Sequence, residues 1–98
     1  MKVLLICAQG MSTSLLVEAM YRASEEGDVI EAVPADTLRQ VIDDYDVVLL
    51  GPQIRYKFPD IKALGEARGK QVAMVDMRAY GVMDGAAVYQ QAKSLLKI

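Results

Sequence analysis

Four short apolar runs divide the chain, and each is followed by a stretch whose apolar residues return at helical spacing. The runs at 47–50 (Val-Val-Leu-Leu) and 72–75 (Val-Ala-Met-Val) contain no charge, as expected of strands covered on both faces. The run at 3–6 (Val-Leu-Leu-Ile) reads the same way, and the run at 29–33 is interrupted by Glu31. After the first run, Leu15, Leu16, Ala19, Met20 and Ala23 form a stripe that predicts a helix over 12–24. Asp36 is placed to cap a helix through Tyr45 with Leu38, Val41 and Ile42 inward. Pro59 suits the start of a helix ending at Arg68–Gly69, with Ile61 and Leu64 inward. A last helix is predicted from Asp84 or Gly85 to Leu96, burying Ala87, Val88, Ala92, Leu95 and Leu96.

The predicted order is β-α-β-α-β-α-β-α, expected to be one domain over residues 1–98. Right-handed crossovers convert this order into a three-layer α/β fold, a four-stranded parallel sheet flanked by helices. The expected strand order is 2-1-3-4, a flavodoxin-like arrangement shared with small cysteine-dependent phosphatases. Ligand chemistry in such sheets gathers at the C-terminal strand ends, where the chain reverses direction across the sheet. Here that point lies between the first and third strands, at Cys7 and at Gly51-Pro52-Gln53.

Cys7 is the sole cysteine, and it is followed by Ala8-Gln9-Gly10-Met11-Ser12-Thr13-Ser14. A lone cysteine ending a buried strand is often an inert small hydrophobe. This loop is too polar for a turn that serves packing alone. Gly10 permits a backbone that turns its amides inward, and Ser12, Thr13 and Ser14 supply helix caps and hydroxyl donors. Amides and a helix N-terminus gathered at one sulfur make an anion cradle, and the same field favours a thiolate. The expected role of Cys7 is to carry a phosphoryl group as a nucleophile.

Composition narrows the chemistry. With 98 residues, 53% hydrophobic and net charge −2, the chain reads as a globular domain without the clustered basic charge that nucleic-acid binding requires. No apolar run approaches the roughly 20 residues of a membrane span, and no signal peptide is evident. One cysteine makes no internal disulfide, so a cytoplasmic, reducing location is expected, with no direct membrane insertion. There is no histidine, which rules out a resident phosphohistidine, a Cys-His dyad or a His-containing zinc site. No metal or cofactor is expected.

Two enzyme classes place a cysteine here. Low-molecular-weight phosphotyrosine phosphatases carry C-x5-R-S, and counted from Cys7 their arginine position is Thr13. The guanidinium that would clamp an equatorial phosphate during hydrolysis is therefore missing. A cradle of neutral donors suits holding and handing on. Cys7 through Val17 closely resembles the phosphocysteine loop of IIB components of the bacterial sugar phosphotransferase system, lactose/cellobiose class. Val47-Val-Leu-Leu-Gly-Pro-Gln-Ile54, Val75-Asp76, Tyr80-Gly81 and Asp84-Gly85 extend the resemblance along essentially the whole chain. Gly-Met-Ser-Thr-Ser is closer to the cellobiose/chitobiose branch than to the lactose branch. The resemblance implies phosphotransferase activity: Cys7 takes a phosphoryl group from a phosphohistidine on a IIA protein. It then passes the group to a sugar at the membrane IIC permease, with loop amides from Ala8 to Ser14 holding the oxygens. A small phosphatase or arsenate reductase is the rival reading, and a flavin-binding module is a second.

Pro52, Gln53, Arg55, Tyr56 and Lys57 follow the third strand and form a candidate partner rim; a plain solvated loop is the alternative. Tyr80 is read either as part of a structural turn or as lining the same crevice. Met11 is a candidate apolar contact. Asp76 is expected to be a turn or cap residue, because the acidic pair that would hold magnesium beside a phosphoaspartate is missing after the first strand.

Overall fold

Val47, Val48, Leu49 and Leu50 have no solvent exposure, the burial expected of a strand with neighbours on both sides and helices on both faces. In the computed structural model, which describes residues 1–7 and 11–96, they form β3 (Val47–Leu50). The other strands are β1 (Lys2–Cys7), β2 (Val29–Pro34) and β4 (Gln71–Met74). All pairings are parallel and the order is β2-β1-β3-β4, as the alternation of runs and stripes predicts. Glu31 is tolerated because β2 is an edge strand, where Glu31 is exposed.

Alternation along β1 divides the core in two. Val3 and Leu5 join Leu16, Met20, Val88, Tyr89 and Ala92 of α1 (Met11–Ala23) and α5 (Gly85–Leu96) on one face. Leu4 and Ile6 join Leu38, Ile42, Ile61 and Val72 on the other. That second face is covered by α2 (Leu38–Val41) and α3 (Phe58–Ala67). A fifth helix, α4 (Met77–Gly81), sits between β4 and α5.

Several local expectations change. The helix expected over 36–45 is broken into a 3-10 turn at Ala35–Thr37, the single turn α2, and a second 3-10 turn at Ile42–Asp44. Asp36 caps none of them through its side chain. The segment must seat Leu38, Ile42 and Tyr45 on the sheet and leave Tyr45 extended (φ −123°, ψ 156°) to enter β3. β-Branched Val41 and Ile42 give little local resistance to that break. The expected loop after β3 contains a 3-10 helix, Pro52–Lys57, kinked at Ile54. The expected turn at Tyr80-Gly81 is instead the end of α4. Leu15, Ala87 and Leu96, expected inward, are exposed, while Leu16, Met20, Val88 and Ala92 are buried as predicted. The helix stops hold: α3 ends before Gly69 at φ 72°, and Asp84 accepts from the Ala87 amide at 3.1 Å to open α5.

Two glycines set the layer spacing. A Cβ on Gly85 would collide with the backbone of Ala19 and Met20, so α5 crosses α1 at backbone contact. A Cβ on Gly65 would run into the Val72 side chain, so α3 packs on β4 through that side chain rather than at backbone contact.

Candidate functional site

The chain delivers Cys7 to the last position of β1, in register with Pro34 of β2. The preceding residue, Ile6, is in register with Val33 on one side and Leu50 on the other. Gly51 donates its amide to the Ile6 carbonyl at 2.9 Å, so the chain leaving β3 is bonded to the residue before Cys7. β1 connects through α1 to the β2 side, and β3 connects through α3 to the β4 side. Cys7 therefore stands at the reversal point where open α/β sheets place ligand chemistry.

α1 begins at Met11, so residues 8–10 span the distance from strand to helix. A helix of 13 residues presents the positive end of its dipole and its unpaired first amides to that connection. Its first turn has no acidic residue, so no side-chain carboxylate there competes for the positive end.

Ala8, Gln9 and Gly10 lie outside the described residues, as do the side chains of Cys7, Met11, Ser12, Thr13, Ser14 and Gln53. What the structure brings together is the backbone frame: the end of β1, the start of α1 and the Gly51 connection.

Of the candidate rim, Arg55, Tyr56 and Lys57 are exposed on the 3-10 helix after β3, and Pro52 is half-buried. Tyr56 is 72% exposed, with the Lys57 ammonium 5.9 Å from its ring centre. Ile54 turns inward, 2% exposed, and pins this segment to the core of the α2–α3 face. Tyr80 is placed differently. It is buried in the core of the α1–α5 face with Val75 and Ala79.

Asp76 caps α4: its carboxylate accepts from the Ala79 amide at 3.0 Å, the role expected of it. Among the described residues, no group of three His, Cys, Asp or Glu side chains is gathered for a metal. No described helix is long and apolar enough to cross a membrane.

One feature escaped the sequence reading. Leu15, Met77 and Val82 are 60%, 64% and 70% exposed; Leu15 lies in α1, Met77 opens α4 and Val82 follows it. Helical periodicity assigned Leu15 inward. Met77 and Val82 flank a helix too short to show any periodicity.

The profile of "PTS system, Lactose/Cellobiose specific IIB subunit" matches residues 2–91. The oligo-beta-mannoside-specific EIIB component of Bacillus subtilis (strain 168) is 39% identical over 98 residues, covering 97% of this chain and 95% of that protein. The solution structure of a cellobiose-specific phosphotransferase IIB component from Borrelia burgdorferi superposes with TM-score 0.80 at 34% identity. It covers 97% of this chain and 90% of the other. The lactose-specific IIB domain of Streptococcus pneumoniae shares the fold with TM-score 0.87 at 20% identity, over 99% of this chain and 98% of that one.

Proposed function

Because the chain belongs to the lactose/cellobiose-specific IIB family of the sugar phosphotransferase system, a family of phosphoryl carriers, we propose that Cys7 is the residue that carries the phosphoryl group. The observation that supports this most is the position of Cys7 as the last residue of β1 at the reversal point, with α1 starting at Met11. In this reading the Cys7 thiolate attacks the phosphorus of a phosphohistidine on a IIA protein. The S–P bond forms as the N–P bond breaks. Amides from Ala8 to Ser14 hold the three equatorial oxygens, with the dipole of α1 behind them. A sugar hydroxyl at the IIC permease then attacks the same phosphorus, forming O–P as S–P breaks and the thiolate is restored.

Positioning and charge stabilisation supply most of phosphoryl transfer, so one nucleophile in a neutral cradle is enough. Pro52, Gln53, Arg55, Tyr56 and Lys57 form the partner rim, and exposed Leu15, Met77 and Val82 add apolar contact area. The carrier works in the cytoplasm, at the inner membrane face during transfer, as one domain over residues 1–98. The sugar is a β-linked disaccharide such as cellobiose or chitobiose, a class consistent with the oligo-beta-mannoside specificity of the Bacillus relative.

The test is incubation with phosphorylated IIA followed by mass spectrometry of the intact protein and its peptides. One added phosphoryl group on the Cys7 peptide is expected, with complete loss in Cys7→Ser and Cys7→Ala and retention in Asp76→Asn. Label that persists in the Cys7 variants overturns the assignment. Sustained turnover of an aryl phosphate would support the phosphatase reading instead.

A further inference from the structure

We propose that the cleft between α2 and α3 is the seat of an acidic, apolar-anchored segment of the phosphoryl-donor protein. This inference rests on the carrier reading and adds a second contact surface to it. The cleft has a volume of about 190 Å³. Ala35, Leu38, Ile61 and Leu64 give it an apolar lining, with Leu38 and Ile61 buried. Arg39, Lys57 and Asp60 stand exposed around it. The volume is that of about six waters and falls below the roughly 300–1,000 Å³ typical of small-molecule sites. It fits one anchoring side chain of a protein better than a sugar or nucleotide.

Charge decides which protein. Six of the thirteen acidic residues (Glu25, Glu26, Asp28, Asp43, Asp44 and Asp46) lie in the connections entering β2 and β3, at the end of the sheet away from Cys7. Arg68 and Lys93 are ion-paired there, to Asp43 at 2.7 Å and to Glu25 at 2.5 Å. Arg39, Arg55 and Lys57 have no ion-pair partner among the described residues. The chain is net negative, yet the cleft is lined by Arg39 and Lys57 against Asp60, with Arg55 on the neighbouring rim and Asp36 exposed on the turn between Ala35 and Leu38. Such a patch attracts an acidic surface and repels a basic one. Cytoplasmic loops of membrane proteins carry an excess of Lys and Arg, so the permease is the poorer match and a soluble acidic donor the better one. The cleft also adjoins the strand end at which β1 delivers Cys7. Ala35 follows Pro34, the register partner of Cys7, and Lys57 ends the segment that starts at Gly51.

The test measures phosphoryl transfer from purified phosphorylated IIA to this protein at low salt, as a function of donor concentration. Arg39→Glu and the double variant Arg39→Glu/Lys57→Glu are expected to raise KM for the donor about ten-fold or more with kcat retained, and the difference should shrink in high salt. Arg22→Glu, the same charge change on the last turn of α1, should leave KM within about two-fold. Asp60→Asn should lower KM, a gain that misfolding does not produce. Transfer from the phosphorylated chain to sugar in permease-containing membranes should be unchanged in Arg39→Glu, Arg22→Glu and Asp60→Asn. An unchanged donor KM in both Arg39→Glu and Asp60→Asn overturns the cleft assignment while leaving the carrier reading intact. So does an equal defect in transfer to the permease. Failure of the unsubstituted protein to be labelled at Cys7 overturns the carrier reading itself, and this inference with it.

Discussion

The side-chain amide of Gln91 on α5 bonds both sides of the chain turning out of β4: it accepts from the Asp76 amide at 3.0 Å and donates to the Met74 carbonyl at 2.7 Å. Asp76 in turn caps α4, the helix whose ends expose Met77 and Val82. A residue on a distant helix thus fixes where α4 stands. Gln91→Ala removes two hydrogen bonds and should cost about 1–2 kcal/mol. For a domain of this size the melting temperature should fall by about 4–12 °C. Calorimetry checks the shift, and phosphorylation of Cys7 should persist. A variant as stable as the parent would show that Gln91 is not holding the turn.

Stability should fall in acid through one carboxylate. Asp28 accepts hydrogen bonds from the Tyr89 hydroxyl and from the Met1 ammonium, the latter at 2.9 Å. The Tyr89 hydroxyl, followed by the ammonium, holds the Asp28 carboxyl at about 2, below its ordinary 3.8. The folded state prefers the ionised form, so its contribution is complete above the unfolded value and drains away as pH falls from about 4 to about 2. The loss should be about 2 kcal/mol. Urea melts at pH 6, 4 and 2.5 on the parent and Asp28→Asn measure it. The variant should be less stable at pH 6 and should lose less on acidification.

Gly85→Ala should be severely destabilising. The added methyl has no rotamer to escape into, and the atoms it meets are the backbone of Ala19 and Met20. Separating α1 from α5 would loosen Met20, Val88 and Ala92 together, a loss of about 3 kcal/mol or more. Expression and thermal melting against Gly81→Ala, where a methyl meets nothing within 4 Å, give the comparison.

The edge strand β2 is shielded by a helix side chain. The Ile30 amide donates to the Tyr21 hydroxyl at 2.8 Å, and Pro34, the last residue of β2, has no amide to offer. Tyr21→Phe should leave the Ile30 N–H without that acceptor and cost about 1 kcal/mol. Faster hydrogen exchange at Ile30 than in the parent, with Val48 exchange little changed, is the expected signature.

The central strands were legible in the sequence because strands covered on both faces admit almost no polar residue, and Val47–Leu50 obeys that rule without exception. The end of α3 at Gly69 was legible because left-handed backbone favours glycine there, and the start of α5 because Asp84 can cap. The Cys7 motif and its place at the end of β1 were equally open to reading, since both follow from local pattern and right-handed crossover. The segment 35–44 was not. Its helical stripe is real, but burying Leu38 and Ile42 while delivering Tyr45 extended into β3 requires two breaks that no propensity announces.

By itself, then, the sequence determined the central strands, the place of Cys7 at the end of the first strand and most of the buried positions of the longer helices, because each depends on residue type and short-range spacing. The tertiary structure alone decided that Tyr80 enters the core, that Leu15, Met77 and Val82 stay exposed, and that Arg39 and Lys57 line one cleft. These are distances between residues far apart in the chain, set by how closely Gly85 lets α5 approach α1 and Gly65 lets α3 approach β4. Periodicity along one element contains no such distance.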